Sequence, residues 1–182
     1  MADINFSQAP DAADSGDGAV ARRGGEPPAW SLIELLFFAY RDFTGDPDAL
    51  LAEFGFGRAH HRVLHFVNRN PGLTVAELLD ILKITKQSLG RVLKQLVDER
   101  YIESRTGAED RRQRQLFTTP RGRALALRLA EPQSRRIRAA LAEVGPEGAA
   151  MFHDILFAMV NAAEREKVER IIADRDTQPE ER

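Results

Sequence analysis

Thr74 and Thr85 each open a run that reads as a helix, and only ten residues separate them, so two helices must meet across a turn of almost no length. The first run begins Thr74-Val75-Ala76-Glu77. Here the Thr hydroxyl is placed to accept the backbone N–H three residues on, and the Glu carboxylate to reach back to the Thr N–H. Leu78, Leu79, Ile81 and Leu82 supply its apolar side, and Lys83-Ile84 fills the interval before Thr85 offers a second N-cap.

The second helix is expected over about residues 85–100. Leu89, Val92, Leu93, Leu96 and Val97 follow the i, i+3, i+4, i+7, i+8 spacing of one buried stripe. The opposite face carries Lys86, Gln87, Gly90, Arg91, Lys94 and Gln95, with no acidic residue among them. Arg, Lys and Gln present donors that pair with guanine or adenine edges. Ser88 sits in the first turn, where backbone N–H groups and the helix dipole already favour a phosphate. On this helix alone, a solvated cationic face in an ordinary helical domain is the competing reading.

Two strand-like runs come next, residues 101–105 and 115–118, joined by nine residues that include Gly107 and the cations Arg111, Arg112 and Arg114. This is a hairpin with a basic tip. Three Arg in a loop can serve solubility alone. Placed directly after a basic-faced helix, they lie within reach of a phosphate backbone or a minor groove when that helix occupies the adjacent major groove. The fold class expected is therefore mainly α, a winged helix-turn-helix with a two-stranded β wing. Its candidate DNA-contacting residues are Thr85, Lys86, Gln87, Ser88, Arg91, Lys94, Arg111, Arg112 and Arg114.

The run Glu109-Asp110-Arg111-Arg112-Gln113-Arg114 followed by Thr118-Thr119-Pro120-Arg121-Gly122, after those two helices, resembles the MarR family of bacterial transcription regulators. That family's wing carries an Asp-Arg-Arg type motif, a Leu-Thr type strand end and a Gly opening the next helix; Phe117 interrupts the Leu-Thr pair here. The likeness spans about residues 30–172, with its specific motifs between 73 and 122. Within the family, the segment Phe37-Phe38-Ala39-Tyr40-Arg41-Asp42-Phe43-Thr44, through to Lys86-Gln87-Ser88, is similar to the PetP-type branch. The resemblance implies a homodimer on double-stranded DNA. It also implies a small-molecule effector lodged between dimerisation helices and the DNA-binding lobe, for which Tyr40, Arg41, His61 and His65 are the candidate lining residues. As polar groups beside apolar surface, all four also fit a hydrogen-bonded core or interface role.

The flanks agree with that division. Residues 1–27 are poor in large apolar groups and read as a disordered acidic arm. Residues 28–57 hold an N-terminal dimerisation helix, 58–122 the DNA-binding lobe, 123–175 C-terminal dimerisation helices and 176–182 a disordered tail. From Trp30 to Phe43 the chain is apolar on nearly every side yet, at about 14 residues, short of the roughly 20 that span a bilayer. Such a helix must be buried on several faces. A matching stripe at Met151, Phe152, Ile155, Leu156, Met159 and Val160 is wider than the small lobe could cover, which points to an intertwined homodimer rather than packing within one chain. Pro132 is expected to kink or end the helix that starts near residue 121, and Gly145-Pro146 to separate it from the last one.

Charge and composition set the remaining bounds. The net charge is only −2, but residues 84–123 carry ten Lys or Arg against five Asp or Glu, a local +5 that leaves −7 to the remainder. DNA binding depends on the local cationic face more than on the sum. With no Cys there is neither a disulfide framework nor a thiolate sensor. No apolar run of 18 residues occurs and the acidic start lacks a signal peptide's basic flank, so a cytoplasmic protein with no membrane partner is expected. His61 and His65 share a helical face at metal-ligand spacing, but two ligands do not make a site, and neither a metal nor another cofactor is expected. A metal-responsive regulator and a winged-helix protein-interaction module are the alternative readings. No Gly-rich phosphate loop or nucleophile elbow supports an enzyme. Occupying a promoter as a dimer blocks polymerase, so repression is the expected mode.

Overall fold

The computed structural model describes residues 27–107 and 113–173. Most of the expected N-terminal arm, the expected tail and the wing tip with Arg111 and Arg112 lie outside the described residues. The elements run in the order α1 (Trp30–Ala52), α2 (Arg58–Arg69), β1 (Leu73–Thr74), α3 (Val75–Leu82), α4 (Lys86–Asp98), β2 (Ile102–Thr106), β3 (Arg114–Thr118) and α5 (Pro120–Ala158). A 3-10 turn (Ala162–Glu164) and α6 (Arg165–Ala173) complete them. No described helix is long and apolar enough to cross a membrane.

Both expected caps form. Thr74 Oγ1 accepts the Glu77 N–H at 3.3 Å while Glu77 Oε2 accepts the Thr74 N–H at 2.8 Å. Thr85 Oγ1 accepts the Ser88 N–H at 3.2 Å. The short turn is made possible by Lys83, which closes α3 in the left-handed region at φ 51°. Arg62 of α2 donates to the Leu82 carbonyl at 2.8 Å, satisfying one of the groups that a helix end leaves open.

The hairpin pairs Ile102 with Thr118, Ser104 with Leu116 and Thr106 with Arg114, all antiparallel. A third strand joins it: β1 pairs with β3 through Leu73 and Leu116, giving the order β1-β3-β2. An N-cap residue holds extended backbone angles, here φ −80° and ψ 159° at Thr74, so the residue that starts α3 can also end a strand. The core lies beneath this sheet. Val63, Leu64 and Val67 of α2 meet Leu78, Leu89, Leu96, Leu116 and Leu129, each essentially sealed from water.

Two prolines sit inside helices. Pro47 leaves the Phe43 carbonyl without its usual N–H donor, and Gln133 Nε2 of α5 supplies one at 3.4 Å. Pro132 is expected to kink or end α5, and the structure corrects the ending: the helix continues through it, and the only non-helical angles inside it fall at Gly145, φ 72° and ψ −177°. Leu125, Ala126 and Leu129 anchor the turns before Pro132 in the core, and that packing offsets a local cost of about 3 kcal/mol. Gly145 takes the break because glycine enters positive φ without strain, and the following Pro146 disfavours a helical conformation before it.

At its far end the chain returns to the lobe. Lys83, the C-cap of α3, bridges Asp80 at 2.7 Å and Glu164 at 3.2 Å, and Lys167 of α6 also donates to Asp80. Hydrogen bonds from Lys167 and then Lys83 hold the Asp80 carboxyl at about 2, down from 3.8. A lowered folded-state value means that Asp80 adds stability above the unfolded value and loses it as pH falls. The gap in thermal midpoint between the native chain and Asp80→Asn is therefore expected to close as pH drops from 3.8 to about 2.

Gly122 opens α5 against the wing. A Cβ there would lie 1.9 Å from the Tyr101 carbonyl oxygen, which leaves no room for any side chain. Gly122→Ala is expected to cost about 1–3 kcal/mol, read as a lower midpoint in urea unfolding.

Candidate nucleic-acid interface

α4 turns Leu89, Val92 and Leu96 into the core and leaves Lys86, Gln87, Ser88, Gly90, Arg91 and Lys94 in solvent. Among the described residues, Lys86, Gln87 and Arg91 make no ion pair or hydrogen bond, so their donors stay available. Lys94 pairs with Asp98 one turn on. Thr85 Oγ1 donates to Ser88 Oγ at 2.9 Å, which leaves the Ser88 hydroxyl proton free to point outward at the helix start. A Cβ on Gly90 would meet nothing within 4 Å, so the middle of the cationic row is open space.

Gln95 departs from the expected pattern. Instead of standing with the solvent-facing donors it is half-buried, and its amide oxygen lies 2.9 Å from His60 Nε2. Helical spacing put Gln95 at the margin of the polar face, where only the neighbouring helix decides whether a side chain is covered.

The wing stands beside α4. Gly107 donates to the Gln113 carbonyl at 2.9 Å, closing the described part of the hairpin toward its tip. Arg114 is exposed and donates through Nε to Ser104 Oγ at 3.1 Å, which ties its guanidinium across to β2. Arg105, counted in the sequence only as charge, lies over the Phe117 ring at 4.4 Å and pairs with Glu103, so its cation is already engaged. Arg121 is engaged too, stacked over Tyr101 at 4.2 Å and donating to the Glu99 carbonyl at 2.9 Å. Arg111 and Arg112 fall outside the described residues.

The four residues expected to line an effector site lie on two helices. Tyr40 and Arg41 are on the exposed half of α1, with Arg41 over the Phe38 ring at 4.9 Å and hydrogen-bonded to Asp42. His61 is half-buried on α2. Burial pushes its imidazole pKa down, and Asp48 opposes that in part. His65 meets the His61 ring edge-on at 6.4 Å and the Phe66 ring at 5.1 Å. An open groove of about 540 Å³ between α1 and α5 is lined by other residues, Asp46, Ala49, Leu50, Arg128, Glu131, Pro132 and Arg135. Among the described residues no group of three or more His, Asp or Glu is placed to hold a metal ion.

One surface is apolar rather than charged. Every residue from Trp30 to Asp42 is exposed in the single chain, with Trp30 at 64% and Phe37 at 63%. Met151, Phe152, Ile155, Leu156 and Met159 form a second exposed apolar strip on the last turns of α5.

Comparison with known proteins places this arrangement. Residues 54–113 match the model of the MarR family. Over 133 residues the chain is 50% identical to the HTH-type transcriptional regulator PetP of Rhodobacter capsulatus, covering 73% of this chain and 80% of that protein. The fold is shared with the transcriptional regulator SlyA, at a TM-score of 0.60 and 16% identity over 76% of this chain and 94% of that one. It is shared also with a mutant of S. aureus MepR bound to an oligodeoxyribonucleotide, at a TM-score of 0.51 and 16% identity over 71% and 95% of the two chains.

Proposed function

This chain belongs to the MarR family and is a helix-turn-helix transcription regulator of that type. From that premise we propose that it binds double-stranded DNA in the cytoplasm as a homodimer and represses the promoters it occupies. The observation that carries the reading is the solvent-facing row of α4, where Lys86, Gln87 and Arg91 have no partner among the described residues and no acidic neighbour within a turn. Arg91 and Gln87 are the base-reading residues on this account; Thr85, Ser88, Lys86 and Lys94 meet phosphate or the groove edge. Arg111, Arg112 and Arg114 of the wing add backbone contacts. The related fold of MepR carries an oligodeoxyribonucleotide, which supports the same use here.

Dimerisation is supported by the exposed apolar surface. A helix that leaves Trp30, Leu32, Ile33, Leu36 and Phe37 in water has unburied area that folding of one chain does not recover, and a second copy offers the matching strip on α5. On this reading residues 28–57 and 123–175 are the dimer arms and 58–122 the reading lobe. A two-fold axis then sets two copies of α4 in successive major grooves, about 34 Å apart. Modulation by a small ligand belongs to the same proposal. The groove between α1 and α5 supports it, since a ligand seated there shifts the lobe spacing to the extent that it binds one spacing more tightly.

Selection from random duplexes is expected to recover a pseudo-palindrome with half-sites about one helical turn apart. On that operator, Arg91→Ala is expected to cost about 1–3 kcal/mol and relax preference at one base pair. Arg114→Ala is expected to weaken all duplexes alike and lower the salt slope by about one. Recovery of no palindrome would sink the DNA-reading proposal. Phe37→Glu is expected to yield a folded monomer by sedimentation with weakened operator binding; a native chain that sediments as a monomer contradicts the dimer.

A further inference from the structure

We infer that His60 and Gln95 are positioning residues for α4, holding the roll at which it presents Gln87 and Arg91; the inference rests on the reading of α4 as the helix that contacts DNA. The chain of bonds has one direction. The Gly57 N–H donates to His60 Nδ1 at 3.1 Å, which puts the imidazole proton on Nε2. Nε2 then donates to Gln95 Oε1 at 2.9 Å, and Gln95 Nε2 donates to Glu99 Oε1 at 2.9 Å. Every donor along this path meets an acceptor.

The imidazole is not free to swivel. Its ring stacks on Phe56 at 4.7 Å with 11° between planes, and Phe56 is buried edge-on against Tyr101 at 5.2 Å. Two residues before His60, Arg58 pairs with Asp48 of α1 at 2.6 Å. The donor that Gln95 Oε1 meets is therefore fixed by α1, α2 and the start of the wing together.

What this adds to the core is orientation. Leu89, Val92 and Leu96 hold α4 by apolar burial, which is non-directional and sets the roll of the helix about its axis only coarsely. A hydrogen bond of defined geometry sets it more finely. Gln87, Arg91 and Gln95 are spaced i, i+4 and i+8, so they form one row on the helix surface. Pinning Gln95 pins the row that bears the proposed base readers.

The two roles of His60 can be separated. His60→Glu keeps an acceptor at the third helical position for the Gly57 N–H, as a capping box does, and has no N–H to offer Gln95. Gln95→Leu removes the other end and leaves the cap intact. Both variants, the double variant and the native chain would be titrated with the selected operator and with a scrambled duplex of equal length. The thermal midpoint of each would be recorded alongside. Each single change is expected to lower operator affinity about tenfold while scrambled-duplex affinity holds, and the double variant to lose no more than either single. A pair that only stabilises the fold would lower the thermal midpoint and leave the ratio of the two affinities unchanged, and that result, or additive losses in the double variant, overturns the inference. A native chain that does not distinguish the two duplexes overturns the DNA-reading proposal itself.

Discussion

Tyr101 is the point on which the reading lobe depends. Its N–H closes α4 by donating to the Leu96 carbonyl at 2.8 Å, and its own carbonyl accepts the Thr119 N–H at 3.1 Å, just before α5 begins. Phe54 and Phe56 stand edge-on to its ring and Arg121 stacks over it. One buried residue thus ties the end of the proposed DNA-contacting helix, the first wing strand and the long helix that leaves the lobe. Gly122 follows as a consequence, because α5 can come this close to the Tyr101 carbonyl only without a side chain at that position.

The two ends of the chain answer a different constraint. The lobe seals its apolar residues within one chain, whereas the first half of α1 and the end of α5 leave theirs in water. The Phe43 carbonyl that Pro47 leaves open and Gln133 fills, the Arg136 to Asp46 pair at 3.2 Å, and the charge cluster of Asp80, Lys83, Glu164 and Lys167 tie these arms to each other and to the lobe. They are surface contacts of small individual worth.

Local chemistry was the part legible in the sequence. The two Thr caps, the buried stripe of α4, the hairpin and the break at Gly145 all depend on residues within a few positions of one another, and each was readable. The third strand was not, because two residues carry no periodicity and Thr74 already had a role as a cap. The run of α5 through Pro132 was misread because a local cost was weighed without the core contacts that outweigh it. Gln95 was read as a surface donor, since nothing within α4 shows that His60, thirty-five residues earlier in the chain, would cover it.

By itself, then, the sequence determined the two helix caps, the basic face of α4, the wing hairpin and the break at Gly145. These follow from hydrogen-bond capping, 3.6-residue periodicity and glycine conformation, which act over one or two turns. Tertiary structure decided which of the polar residues on α4 remain available and which are spent on holding it, and it decided that proline is tolerated within α1 and α5. Those outcomes depend on partners brought together from distant parts of the chain, as His60 is to Gln95 and Gln133 to Phe43. Such pairings carry no mark in the local pattern of either partner.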